Sequence, residues 1–139
     1  MPDFKKIDHV SLVVEDVDNA LAFWRDTLGL ELHHTQDVPT EGARVAFLPV
    51  GESEIELVQP TTPDSGIRRF LEKRGEGMHH ICLEVEHLDD LLLCLKEKGV
   101  QVLNETPRQT AEGKRYIFIH PKSAHGVLVE LYEMTHGNS

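Results

Sequence analysis

The sequence predicts an α+β fold made of two β-α-β-β-β modules. Three observations predict it. A strand-like alternation followed by a helix-like period occurs twice, and the two occurrences superpose at one constant offset. Each is then followed by a pair of strands that reads as a hairpin.

The first module opens on "KIDHVSLVV". Ile7, His9, Ser11 and Val13 take one face, while Asp8, Val10, Leu12 and Val14 form a second, strongly apolar one. A period of two is the signature of a strand. Val17, Ala20, Leu21, Trp24 and Leu28 then recur at helical spacing, with Asp16 or Asp18 placed to cap the start and Gly29 to end the helix in a left-handed turn. A strand through Glu31–Thr35 follows. "RVAFLPVGESEIELVQP" reads as a strand, a turn around Gly51 and another strand. Ser65 to Arg74 reads as a short helix joining the halves. The second module opens on "GMHHICLEV" and continues with Leu88, Leu91, Leu92 and Leu95 at helical spacing, starting near Asp89 and ending at Gly99. A strand through Val100–Glu105 precedes "RYIFIHPKSAHGVLVELYE", again a hairpin, turning near Ser123 to Gly126. The chain therefore reads as one domain over 1–139, with modules at about 5–60 and 76–134 and a connecting helix at about 65–74.

Placing His9 on His80, an offset of 71, brings Ile7, Val10, Leu12, Val14, Val17, Leu21 and Trp24 onto Met78, Ile81, Leu83, Val85, Leu88, Leu92 and Leu95. Phe47 falls on Phe118 at the same offset. Glu56 falls on Glu130 at 74, so the second hairpin is three residues longer, and hairpin loops are where such drift is tolerated.

Composition narrows the function. With 40% hydrophobic and 27% charged residues the chain buries a core without staples. Cys82 and Cys94 have no zinc-type spacing and read as reduced core residues of a cytoplasmic protein. No apolar run approaches the ~18–20 residues of a membrane span, and "MPDFKKIDHV" has no apolar segment of a secretory leader. A formal net charge of −10 argues against a nucleic-acid partner. A small phosphorylated ligand needs only a local cluster of cations, and Arg68, Arg69, Lys73 and Arg74, or Lys114, Arg115 and Lys122, supply candidates.

Two polar residues recur with the repeat: a histidine on the first strand (His9, His80) and a glutamate on the last (Glu56, Glu130). Glu56 stands between Ile55 and Leu57, and Glu130 between Val129 and Leu131. Burying a carboxylate without a partner costs several kcal/mol or neutralises it. If both strands curve around one interior, two carboxylates and two imidazoles face each other, and a divalent cation relieves their repulsion. Two nitrogens and two oxygens suit Co²⁺, Ni²⁺, Zn²⁺, Mn²⁺ or Fe²⁺, with room for two waters or a bidentate substrate.

These segments carry a resemblance. From "IDHVSLVVED" to "GVLVELYE", nearly the whole chain resembles the vicinal oxygen chelate superfamily. "GMHHICLEV" together with "IFIHPK" and the following "GVLVEL" narrows the resemblance to its methylmalonyl-CoA epimerase family. The resemblance implies one curved eight-stranded mixed sheet around a metal site, with His9, Glu56, His80 and Glu130 as ligands and Co²⁺ as the first choice of ion. It allows Gln or Glu at position 56. His79, which aligns with Asp8, is then a supporting or structural neighbour. The implied activity is interconversion of (R)- and (S)-methylmalonyl-CoA by proton abstraction at C2 through a metal-stabilised enolate, with Glu130 and a loop glutamate as the catalytic pair. Here the sequence departs from the family: "PTEGA" replaces "PEQGV", so Thr40 stands where the glutamate belongs and Glu41 follows one residue later. Arg68, Arg69, Lys114, Arg115 and Lys122 are the candidates for the CoA phosphates, and a homodimer is the assembly implied. Rival readings within the superfamily are a glyoxalase I-type lactoylglutathione lyase and, more weakly, a ring-cleaving dioxygenase. A non-enzymatic binding module of the bleomycin-resistance type generally lacks the metal residues.

Overall fold

The computed structural model describes residues 3–135. Their elements are β1 (Asp3–Val13), α1 (Val17–Leu21), β2 (His34–Val38), β3 (Ala43–Val50), β4 (Ser53–Pro60), α2 (Gly66–Arg74), β5 (Gly77–Glu86), α3 (Leu88–Glu97), β6 (Arg108–Gln109), β7 (Lys114–Ile119) and β8 (Leu128–Met134). The expected eight-stranded mixed sheet is present. By contacts the chain falls into two units: one is His9–His79, and the other combines the start of the chain up to Asp8 with the segment from His80 onward. Among the described residues no helix is long and apolar enough to cross a membrane.

In the first unit the strand order is β2-β3-β4-β1, antiparallel except for the parallel β4–β1 pair. One face is covered by α1: Val14, Val17, Leu21, Ala46, Leu48 and Leu57 form a buried cluster, with Leu12, Trp24 and Ile55 packed on it. The other face carries His9, Ser11 and Val13, which are also buried. From His9 onward the histidine face of β1 is thus withdrawn from water no less than the apolar one. Of the two capping aspartates it is Asp16 whose side chain accepts a bond from the Asn19 N–H, at 3.1 Å. The expected single helix changes pitch. After Leu21 the chain widens into a π-helical turn over Ala22–Thr27, closed by Leu28 N–H donating to the Phe23 carbonyl at 2.7 Å. Trp24 stays on the core while Phe23 is half exposed. The strand expected at Glu31–Thr35 begins only at His34, because Leu30 and Leu32 are drawn onto the helix-side cluster and the chain first joins β3 where His33 N–H reaches the Phe47 carbonyl.

In the second unit the order is β5-β8-β7-β6, with β5 and β8 parallel. Val85, Leu88, Leu91, Leu92, Ile117, Ile119 and Leu131 make its core beneath α3. The strand expected over Val100–Glu105 is not formed. A single bridge joins Val102 to Ile119, and the edge strand is the two-residue β6. A side chain has replaced the backbone there. The Asn104 amide donates to the Tyr116 carbonyl at 3.0 Å and accepts from the Phe118 N–H at 2.9 Å, the two bonds that a paired strand residue would make. Cys82 is buried, Cys94 partly so, and both thiols are free.

The start of α3 is capped from a distance. His87 sits at φ 60° and its side chain makes no capping bond. Instead the Glu133 carboxylate accepts from the His87 and Leu88 N–H groups at 2.8 and 3.3 Å. Arg115 ties this cap to Asp89 at 2.8 Å, and the ion pair holds the Asp89 carboxyl below its ordinary range. Glu133→Ala is expected to cost about 1–2 kcal/mol, the scale of a lost helix cap, read as a lower urea midpoint; an unchanged midpoint would contradict the assignment.

The duplication extends to strand register. Ser11 lies beside Glu56 in one unit and Cys82 beside Glu130 in the other, while Phe47 faces Glu56 and Phe118 faces Glu130. Offsets of 71 on the earlier strands and 74 on the last are therefore both kept. The extra length falls in the second hairpin loop, at the one-turn helix Pro121–Ser123 and the positive-φ pair His125 and Gly126.

Candidate functional site

In the first unit, His9 projects from the middle of β1 and is 6% exposed. The parallel register sets Glu56 beside Ser11, two residues beyond His9 on the same face, so its carboxylate reaches back and Oε2 lies 3.3 Å from His9 Nδ1. Phe47 stands opposite Glu56 on β3, and the His34 ring stacks on Phe47 at 4.5 Å.

The second unit repeats the pair. His80 Nε2 lies 3.5 Å from Oε1 of Glu130, itself 6% exposed. Here a third group joins: Lys114 Nζ, on β7, lies 3.0 Å from the other carboxylate oxygen, Oε2. Burial works against a charge on Glu130, but the His80 bond and the Lys114 ammonium outweigh it and draw the carboxyl down to about 2. Burial likewise works against the charge on Lys114, and the carboxylate more than restores it. Cys82, next to Glu130 in the ladder, is pushed the other way. Burial first, and then the Glu130 charge, raise its thiol far above the usual range, so it is held neutral and is no nucleophile. Below it, the Tyr132 hydroxyl donates to Asp8 Oδ1 at 2.8 Å.

Each pair has the spacing of half a metal-binding set. One imidazole nitrogen and one carboxylate oxygen stand 3.3 Å apart in the first unit and 3.5 Å apart in the second. Donors bound to one ion at about 2.0–2.2 Å each, in adjacent coordination positions, stand about that far apart. The donor set of each unit fits a borderline divalent ion.

The remaining residues singled out from sequence have definite places. Glu41 ends the one-turn 3₁₀ helix Pro39–Glu41, and both it and Thr40 are exposed. Gly42 follows at φ 62°. A Cβ there would meet Thr62 Oγ1 at 2.5 Å, and the Gly42 carbonyl accepts from the Thr61 N–H at 2.7 Å. Only glycine allows this approach, which pins the Glu41 turn to the end of β4. Arg68 donates to the Pro60 and Thr62 carbonyls and Arg69 to the Asp64 carbonyl, binding the loop between β4 and α2. Arg74 lies over the Phe70 ring, and His79 meets Phe70 edge-on. Arg115 is engaged with Asp89 and Glu133. Lys122 is exposed on the second hairpin loop. Sequence reasoning grouped Lys114 with surface cations and Cys82 with the core, and missed the Tyr132–Asp8 bond. The strand parity from His80 to Cys82, and from Phe118 back to Lys114, was the signal that places both on the glutamate's face.

Residues 8–118 match the family described as the Glyoxalase/Bleomycin resistance protein/Dioxygenase superfamily. The ethylmalonyl-CoA/methylmalonyl-CoA epimerase of Cereibacter sphaeroides is 41% identical over 131 residues, covering 93% of this chain and 98% of its own. The mitochondrial methylmalonyl-CoA epimerase of Bos taurus is 39% identical over 127 residues, covering 91% of this chain and 73% of its own. Among solved structures, a Streptomyces coelicolor methylmalonyl-CoA epimerase variant in complex with 2-nitronate-propionyl-CoA superposes with a TM-score of 0.82 at 37% identity, over 98% of this chain and 99% of that one.

Proposed function

Because the chain belongs to the Glyoxalase/Bleomycin resistance protein/Dioxygenase superfamily, we propose that it is a metal-dependent epimerase interconverting (R)- and (S)-methylmalonyl-CoA. The observation that carries this reading is the largely buried His–Glu pair, one member buried and the other partly so, found in each unit on the same strand register, in a chain 41% identical to an acyl-CoA epimerase across nearly its full length.

The chemistry asks little more than this. C2 of the substrate lies between a thioester and a carboxylate, so its proton is already acidified, and inversion means removing it on one face and returning one on the other. A divalent ion held by His9, Glu56, His80 and Glu130 (Co²⁺ first, with Zn²⁺, Ni²⁺, Mn²⁺ or Fe²⁺ as alternatives) would take up the negative charge that develops on the thioester oxygen. Glu130, kept ionised by Lys114 and His80, serves one face of C2. Glu41 serves the other from its pinned turn, replacing the loop glutamate that Thr40 cannot. In one direction the ionised Glu130 takes the C2 proton while a protonated Glu41 returns one on the opposite face, and the reverse direction exchanges the two roles, so atoms and charge balance without a redox partner. For the CoA phosphates we favour the exposed Lys122 and Arg69 over Arg68, Lys114 and Arg115, which are less exposed and bonded within their own units; the guanidinium of Arg69 makes one bond, to the Asp64 carbonyl.

Incubating the metal-loaded protein with one epimer in D₂O tests the reading: deuterium is expected at C2, by NMR, as epimerisation proceeds. Absence of both exchange and epimerisation rejects it, and turnover of the methylglyoxal–glutathione adduct would establish the lyase instead. Glu41→Gln is expected to slow epimerisation by about 10²-fold, the lower end of what a positioned base contributes. Unchanged turnover excludes it.

A further inference from the structure

The two oxygens of Glu130 have different neighbours. Oε1 faces His80 Nε2 at 3.5 Å, and Oε2 is held by the Lys114 ammonium at 3.0 Å. Lys114 is itself constrained. Its Nζ lies 4.9 Å from the centre of the Tyr132 ring and 5.7 Å from that of Tyr116, and its side chain is 28% exposed. This ammonium is an exception to the duplication. Lys114 pairs with Met134 as Ala43 pairs with Pro60, so the counterpart of the lysine in the first unit is a buried alanine with no charge to offer.

A carboxylate can ligate a cation through one oxygen or both. We propose that Lys114 is a positioning residue that occupies Oε2 of Glu130, restricts this glutamate to ligation through Oε1, and so keeps a coordination position for the substrate. The inference rests on the metal-dependent reading above. Removing the ammonium has three consequences. Oε2 becomes available as a further donor, and one cation no longer repels another across a shared carboxylate; both strengthen metal binding. The carboxylate also loses orientation, which weakens it. In a largely buried site the charge effects dominate, because Coulomb interactions are poorly screened there. The added donor fills the position that the substrate oxygen needs, so tighter metal binding accompanies slower turnover.

The test is Co²⁺ titration of the metal-free protein by calorimetry and visible absorption, for the unmodified chain, Lys114→Met and Lys114→Arg. Lys114→Met is expected to bind Co²⁺ about tenfold more tightly, on the scale of effects for groups contacting a ligand. Its visible band should weaken as the coordination number rises, while kcat/KM for methylmalonyl-CoA falls by a similar factor. Lys114→Arg keeps the charge and is expected to retain the original affinity and spectrum. A merely structural lysine would lower affinity and activity together. Co²⁺ binding by Lys114→Met no tighter than the original, or with the same spectrum, overturns the proposal. Should that variant fold poorly, Lys114→Gln also removes the charge, carries the same expectation of tighter binding, and overturns the proposal if its affinity is unchanged. If the unmodified chain takes up no Co²⁺, the metal-dependent reading itself fails, and that result is distinct from the others.

Discussion

Glu130→Gln is expected to lower C2 proton exchange and epimerisation of methylmalonyl-CoA by about 10²–10⁴-fold, the contribution of a positioned general base. The substitution keeps the shape of the side chain and removes its charge. At a position 6% exposed, the Lys114 ammonium 3.0 Å away is left without its counter-charge, and the oxygen facing His80 becomes a poorer ligand. On the proposed function, metal affinity and proton transfer are therefore expected to fall together. Glu56→Gln is the matched control, since Glu56 lacks a lysine at the counterpart position, Ala43, and an amide oxygen is accepted there in the family that the chain resembles. It is expected to keep much more activity than Glu130→Gln. NMR exchange rates for both variants decide it. If Glu130→Gln turns over as fast as the unmodified chain, Glu130 has no part in the chemistry.

Leu57→Ala is expected to cost about 2–5 kcal/mol, the cost of truncating a fully buried leucine. Leu57 is 0% exposed and sits on the helix-side face of β4 with Leu48, Val17 and Leu21. Its ladder partner on β3 is Ala46, which is also fully buried. The repeat shows how space there is filled. Ala46 and Trp24 in the first unit correspond to Ile117 and Leu95 in the second, so a large helix residue over a small strand residue is exchanged for two of middling size. Alanine at 57 leaves two small strand residues side by side, and the indole can close only part of the void. Urea denaturation monitored by circular dichroism measures the loss. A change below about 1 kcal/mol would mean that the site collapses far more readily than the packing of a protein interior allows.

The features that sequence exposed are those with a period or a repeat. Alternation around His9 and His80 marked strands, the spacing from Leu88 to Leu95 marked a helix, and the shared offset separated His80 from its neighbour His79. What escaped depends on single side chains reaching backbone far away along the chain. Asn104 stands in for a strand, and Glu133 caps a helix that begins 46 residues earlier at His87. Such bonds repay the desolvation of a polar group but impose no rhythm on the residues around them. Lys114 was hidden for a related reason: its composition and spacing are those of a surface lysine, and only its strand parity directs it at Glu130. The late start of β2 likewise followed from Leu30 and Leu32 choosing the core over the ladder.

The division of β1 has a consequence for synthesis on the ribosome. From His9 onward the strand pairs with β4, which is complete once Pro60 has been made. The residues before His9 bond much later sequence: Lys5 pairs with Glu86 at 3.1 Å, and Asp8 receives the hydroxyl of Tyr132, 124 residues downstream. This segment thus leaves the exit tunnel long before its partners do. Until then it remains a strand segment with its edge unsatisfied, the kind of surface on which nascent chains misassociate.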